Sequence, residues 1–462
     1  LAALLVPAAI FTAGFALRAA AGDSSFDSQA EWAQSYDADG HLAVTRSTTP
    51  VLSPDTFTGT EQAAERYRQI VASGGWGQVP SNQTLQLGSE GDAVVALRKR
   101  LAISGDIATA AGMSPVFDSY VEAAVKHFQA RQGLNQTGVV NQDTFAALNV
   151  PADVRLRQLE INIVRLKAYS GNLGQRYVTA NIPAAAVETV ENGVVVTRHI
   201  AGVGRIDRQS PVMMTKATEI NFNPYWTVPV SIIRKDLIPR MQANANYLSE
   251  HKIRIFDKNG NELEANQIDW NSEDAVNYKF RQDTGGDVNS LGVVRINIPN
   301  PYGVYMHDTP EKGIFGDDDR FISSGCIRVQ NVRDYVAWLL EDTPGWDRDR
   351  IDQVIESGEQ VDVKLAEPVP VYWVYITAWA TPDGLVEFRD DIYQRDGLGS
   401  IAADQTGQMP EPGAAQAQQV STGAPPPPAM PIAPPQDIPP QSGQGYDPQS
   451  QGYNQPPTSN GQ

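Results

Sequence analysis

Apolar residues recur at helical spacing in the first third of the chain and at strand spacing in its middle, with the change near residue 170. Residues 60–72 make a helical stretch closed by Ser73-Gly74-Gly75. Between residues 85 and 150 the spacing predicts three short amphipathic helices: one with Val94, Leu97 and Leu101 capped by Asp92, one with Val121, Ala124, Val125 and Phe128 capped by Asp118, and one with Phe145 and Leu148 capped by Asn141. A further helix over 153–169 places Leu156, Leu159, Ile163 and Leu166 on one face and connects this bundle to the strand-rich region. Strands are then expected at 177–182 and 187–190, and Asn192-Gly193 ahead of a Val-Val-Val run signals a tight hairpin, since both central residues of a type I′ turn need positive φ. Residues 231–250 return to helical spacing and interrupt the strands as an insertion or lid. Strands resume at 252–256, 293–298 and 303–307, and 332–340 reads as helix.

The ends of the chain differ from this. Residues 1–17 carry no charge and precede Arg18 and three alanines, the pattern of a signal-peptide core or a membrane anchor, with cleavage and anchoring both open. Residues 22–84 are linker and helical scaffold. Residues 397–462 hold 14 of the 32 prolines among Gln, Gly and Ser, so this tail cannot bury a core and is expected to be disordered. The formal net charge of -18 argues against a nucleic-acid partner, which would need clustered Lys and Arg.

An exported chain with one cysteine leaves Cys326 without a disulfide partner in the chain, so it is either an inert buried thiol or one kept for its reactivity. The five histidines lie far apart and share no metal-ligand spacing with it; no metal and no cofactor are expected. In "YGVYMHDTP" strand alternation puts Tyr305 and His307 on one face and Val304 and Met306 on the other. Farther along, "FISSGCIRV" sets the cysteine on a Gly turn. A thiol nucleophile needs a base or positive charge nearby and backbone N–H groups aimed at the developing oxyanion, and Ser324, Gly325 and Cys326 can supply the latter.

Two resemblances extend this reading. The segments "LGSEGDAVVALRKRL", "FDSYVEAAVKHFQARQGL" and "TGVVNQDTFAALN" resemble the peptidoglycan-binding domain carried by many wall hydrolases and transpeptidases. The pair "YMHDTP" and "SSGCIRV" resembles the signature of the L,D-transpeptidase (YkuD-type) catalytic domain. "GGWGQV", "RYVTANIPA", "VENGVVV", "GRIDRQSPV", "NFNPYWTVP" and "NSLGVVRINIPN" add similarity to the larger, YcbB-like branch. Ser324 stands where many members carry His, as in that branch, and Thr284 stands where relatives often have Pro.

The resemblance implies an α+β multidomain protein: a β-rich catalytic domain over 176–396 with the helical insertion at 231–250, preceded by a three-helix peptidoglycan-binding domain at 85–150 and a connecting helix at 151–175. It makes Cys326 the nucleophile, His307 the base, and the backbone of Ser324, Gly325 and Cys326 the oxyanion hole. Arg328 braces the turn or faces a substrate carboxylate, and Tyr305, Trp226, Asn289 and Gly292 contact substrate. The implied reaction releases D-alanine from a tetrapeptide stem of peptidoglycan and passes the thioester to an amine of another stem, giving a 3-3 cross-link in the periplasm or cell envelope. The rivals are an L,D-carboxypeptidase, in which water takes the amine's place, a papain-like endopeptidase, in which the cysteine would precede the histidine, and a non-catalytic wall-binding protein.

Overall fold

The computed structural model describes residues 47–397 apart from 109–111, 170, 172 and 286. The expected leader at 1–21 and the proline-rich tail beyond residue 397 lie outside the described residues. Among the described residues no helix is long and apolar enough to cross a membrane.

The helix Pro54–Ala72 begins earlier than its apolar spacing indicates. Ser53 caps it by accepting from the Thr56 N–H, and Pro54 sits in the first turn, where a missing N–H costs nothing. The early turns show no apolar stripe because they pack through small size. A Cβ at Gly59 would lie 2.8 Å from the Ala380 carbonyl oxygen.

Helices Asp92–Ser104, Ser119–Gln132 and Gln142–Asn149 enclose Leu97, Leu101, Val121, Phe128 and Leu148. Asp118 and Asn141 cap as expected, accepting from the N–H groups of Val121 and Thr144. Asp92 does not cap: Gly91 takes that place at φ 120°, its N–H drawn to the Pro115 carbonyl, so Asp92 falls inside the first turn.

The helix Ala152–Ala168 is more than a connector. It lies along Pro54–Ala72, and both rest on a hairpin of Ala378–Ala380 and Val386–Phe388 through Ala63, Tyr67, Leu159 and Phe388. Gln158 donates to the carbonyls of Thr377 and Arg389, and Asn162 exchanges hydrogen bonds with Thr377. The three-helix module meets this frame at Arg131, which a buried ion pair fixes within the module. Arg131 grips Asp106 at 2.6 and 2.5 Å, with side chains 4% and 0% exposed, while Arg131 also donates to the Val386 carbonyl and accepts from Arg389. Burial alone would raise the Asp106 carboxyl, but the Arg131 guanidinium, His127 and Ser104 hold it at about 2.

Arg131→Ala should therefore cost ~3–5 kcal/mol, because it strands a buried carboxylate. Urea unfolding at pH 7 measures this, and a loss below ~1 kcal/mol would show that the pair does not hold the module together. Since Asp106 is depressed in the folded state, its stabilising contribution is present above the unfolded carboxylate pKa and fades as pH falls toward 2.

In chain order the strands of the strand-rich half are β1 Arg176–Asn181, β2 Ala186–Glu191, β3 Val194–Gly204, β4 Met213–Phe222, β5 Trp226–Thr227, β6 Ile253–Phe256, β7 Glu262–Leu263, β8 Lys279–Gln282, β9 Val294–Asn297, β10 Met306–His307, β11 Phe321–Ser323, β12 Ile327–Val329 and β13 Val361–Val374. Nine of them form one sheet, ordered β11-β3-β12-β10-β9-β4-β13-β1-β2. Strand β2 also pairs with β3, so the sheet closes on itself. The expected hairpin is there, with Asn192 at φ 50° and Gly193 at φ 79°. Inward residues such as Val178, Ala201, Ile220, Ile296, Met306, Ile327 and Trp373 form one core with Tyr335, Val336 and Leu339 of the helix Val332–Leu339 and Ile351 and Val354 of Arg348–Ser357.

Strand β10 is shorter than its sequence suggests. The Asn300 side chain accepts from the N–H groups of Tyr302 and Val304 and donates to the Val304 carbonyl, replacing ladder partners with a local turn. The expected helix at 231–250 is likewise broken, into Val230–Ile232, a π-helical turn Ile233–Leu237, Ile238–Ala243 and Tyr247–Glu250. Pro239 lacks the N–H that would complete a continuous ladder, and the bulge before it absorbs the gap. These turns are also not an isolated lid. They pack on a second sheet, ordered β5-β8-β6-β7, and share with it a separate core of Ile233, Leu237, Met241, Leu248, Ile255 and Phe280.

Candidate active site

Strands β10 and β12 are parallel neighbours in which Met306 pairs with Ile327 and His307 with Arg328. That register sets Cys326 across from Tyr305, whose carbonyl accepts from the Ile327 N–H. Cys326 and His307 thus stand on adjacent strands and line one cleft of about 470 Å³. Ring contacts show that Tyr305 shares the His307 face, with centroids 5.7 Å apart, while Met306 is in the core.

His307 is buried and its Nδ1 lies against the Asp308 carbonyl, which can only accept. Nδ1 therefore carries the proton and Nε2 the lone pair. Burial, then the Arg328 guanidinium, push its pKa down to about 3 despite that carbonyl. Cys326 is half-buried, and burial pushes its thiol up to about 11, a backbone hydrogen bond at Tyr305 and the charges of Arg295 and Arg328 offsetting only part of this. At rest the cleft thus holds a thiol and a neutral imidazole. With these protonation states no thiolate stands ready beforehand, so reaction at the sulfur would need a proton acceptor beside it.

The turn that carries Cys326 is closed by two serines, Ser323 and Ser210. Ser323 Oγ donates to the Cys326 carbonyl at 2.6 Å and accepts from the Gly325 N–H at 3.1 Å, and Ser210 Oγ donates to the Gly325 carbonyl at 2.9 Å. Gly325 holds φ 113° in this turn, a left-handed value costly to other residues. Its N–H is consequently engaged, which corrects the expectation of a three-amide oxyanion hole. Among the described residues no acceptor meets the N–H groups of Ser324 and Cys326, and these two remain to receive an oxyanion.

Arg208 is a further site residue that the motifs do not reveal. It donates to Ser324 Oγ at 2.9 Å and to Asp236 Oδ1 at 2.9 Å, tying the π-helical turn of the insertion to the cysteine turn. Arg328 pairs with Glu311 at 2.8 Å and lines the cleft, so it both braces the turn and faces the space beside the cysteine. Trp226, Tyr305 and Ser324 line the cleft as well.

Asn289 and Gly292 do not line it. Asn289 is fully buried, donating to the carbonyls of Pro224 and Asp283 and accepting from the Leu291 N–H, so it shapes the loop over 283–292 rather than meeting substrate. In that loop Gly285 takes φ 132°, and Gly286 lies outside the described residues. Gly292, at φ 59°, is where a Cβ would come within 2.3 Å of the Asp308 carboxylate. It lets the loop close on Asp308, whose carboxylate accepts from the Val293 N–H and from Lys312 and whose carbonyl orients His307.

Comparison with known proteins places these residues in context. Residues 175–355 match the family described as "L,D-transpeptidase catalytic domain" (YkuD), and residues 90–148 match the family described as "Putative peptidoglycan binding domain". The chain is 34% identical over 220 residues to a "Putative L,D-transpeptidase" of Haemophilus influenzae, a stretch covering 47% of this chain and 44% of that protein, so the match spans less than half of either. Among solved structures, an L,D-transpeptidase from Xylanimonas cellulosilytica is similar at 17% identity and TM-score 0.20, covering 64% of this chain and 99% of that one. Another from Mycobacterium smegmatis is similar at 15% identity and TM-score 0.22, covering 43% and 58% respectively.

Proposed function

We propose, because residues 175–355 match the YkuD family of L,D-transpeptidase catalytic domains and residues 90–148 match a peptidoglycan-binding domain, that the protein forms 3-3 cross-links in peptidoglycan through a cysteine thioester. The observation that supports this reading above the others is the shared cleft: Cys326 and His307 on neighbouring parallel strands, beside two unengaged amides. The Cys326 sulfur attacks the carbonyl joining the third residue of a tetrapeptide stem, a diamino acid, to its terminal D-alanine, while its proton passes to His307 Nε2. The N–H groups of Ser324 and Cys326 bind the oxyanion. As the C–N bond breaks, His307 returns the proton to the departing D-alanine amine, leaving a thioester on Cys326. A side-chain amine of a second stem attacks the thioester, His307 takes the proton released, and the thiolate recovers a proton as the new amide forms. The enzyme works in the cell envelope, where this polymer lies, and the chemistry calls for no cofactor.

Water competes with the acceptor amine, and hydrolysis of the same thioester would make the protein an L,D-carboxypeptidase. Purified protein incubated with tetrapeptide muropeptides should yield the 3-3 linked dimer as main product with stoichiometric release of D-alanine, read by chromatography and mass spectrometry. Mostly free tripeptide across a range of donor concentrations would replace transpeptidation by hydrolysis.

A further inference from the structure

Four arginines line the cleft: Arg205, Arg208, Arg240 and Arg328. Three have a carboxylate partner, Asp207 for Arg205, Asp236 for Arg208 and Glu311 for Arg328. Among the described residues no carboxylate pairs with Arg240, which comes from the insertion. Its Nη1 donates to the Tyr247 hydroxyl at 2.8 Å, and its guanidinium lies 5.1 Å from the centre of the Tyr247 ring. Tyr247 in turn stacks on His251, centroids 4.0 Å apart and planes 23° from parallel, and the His251 Nδ1 is held at 2.9 Å from the Tyr247 carbonyl. All three residues line the cleft. Nearby acids are already occupied: Asp236 by Arg208, and Glu250 by the Asn244 amide.

A guanidinium positioned by an aromatic ring, carrying no counter-ion and facing a substrate cleft, is built to receive a carboxylate in the fork geometry that arginine favours. We propose that Arg240, positioned by Tyr247 and His251, forms an anion subsite for a free carboxylate of a stem peptide, so that the insertion selects substrate by charge. The proposal rests on the transpeptidase reading, in which the peptides brought to Cys326 carry carboxylates beyond the one at the reacting bond. The carboxylate belongs to the donor stem or to the acceptor stem, and the two are separable by experiment.

D-alanine release reports the donor half-reaction, and dimer formation at saturating donor reports the acceptor half. Each is measured with stems whose diamino-acid carboxylate is free and with stems in which it is amidated. The wild type should prefer the free carboxylate in one half-reaction, and Arg240→Ala should lose ~10- to 100-fold in kcat/KM for that peptide while changing little with the amidated one. Arg240→Lys should retain part of the preference, and Tyr247→Phe should weaken it through lost positioning. Alkylation of Cys326 by iodoacetamide, a neutral probe, should be unchanged in every variant. Equal effects of Arg240→Ala on free and amidated peptides, or no effect on either, overturn the subsite. A wild-type protein that releases no D-alanine from any stem overturns the transpeptidase reading instead.

Discussion

Cys326→Ala should leave a folded protein that no longer forms a covalent adduct with a carbapenem, whereas the wild type should gain the mass of one ring-opened molecule. The side chain removed is small and half-buried on a turn whose closure depends on Ser323, Ser210 and Gly325 rather than on the thiol, so the stability change should stay below ~1 kcal/mol. Intact-protein mass spectrometry decides the matter. An equal adduct on the variant would remove Cys326 from the chemistry. The thiol's environment adds a second readout. With its pKa pushed up to about 11, the rate of alkylation by iodoacetamide should climb roughly tenfold per pH unit from 6 to 9 without a plateau. A plateau beginning near pH 6 would mean that a thiolate–imidazolium pair exists at rest.

The second large effect is at His307, where replacement by alanine should slow acylation ~10²- to 10⁴-fold, the range of general-base contributions. Unlike an exposed histidine, this one stays neutral in the folded protein down to about pH 3. Acylation should therefore not lose its base between pH 7 and 5, and a tenfold loss per unit below pH 6.5 in that range would contradict the burial argument. Stability follows from the same burial. The unfolded chain protonates His307 near 6.5, so between about 3 and 6.5 it binds more protons than the folded one, and stability rises with pH across that window. His199, pushed down to about 4 by burial, adds to the same slope. Denaturation midpoints at pH 5 and 7 should differ less in His307→Ala than in the wild type.

Part of the fold and the candidate site were legible because their constraints are local. Positive φ at Asn192-Gly193 marked the hairpin, side-chain oxygens at Asp118 and Asn141 marked two helix starts, and a lone thiol after Ser-Ser-Gly marked a residue that the structure places in the cleft. What escaped depends on partners distant in the chain. Arg208 and Asp236 meet only once the insertion has folded onto its own sheet, and the closure of β2 on β3 leaves no periodic trace. Gly325 has the look of an oxyanion donor, but Ser323 takes its N–H. Asn289 and Gly292 sit beside the right loop, yet burial and the close approach of Asp308 give them structural work. The helix expected at 231–250 runs on through Pro239 by way of a π-helical turn and stops only at Asn244, where the backbone becomes extended (φ -142°, ψ 104°) before a last turn at Tyr247–Glu250.

The parallel pairing of β10 with β12 bears on how such a site can diversify. Antiparallel neighbours can be joined by a two-residue turn, but parallel ones require the chain to travel back before it can run alongside itself, so a long crossover between His307 and Cys326 is obligatory. The alignment of His307 with Cys326 is fixed by ladder rungs at either end of that crossover and not by its middle. Residues 316–320 hold an acidic run in which Asp318 accepts from the Asn135 N–H of the three-helix module. A lineage can rewrite or lengthen this stretch, changing which neighbour it touches, while the two reacting side chains inherit an unaltered spacing from the backbone hydrogen bonds of the ring.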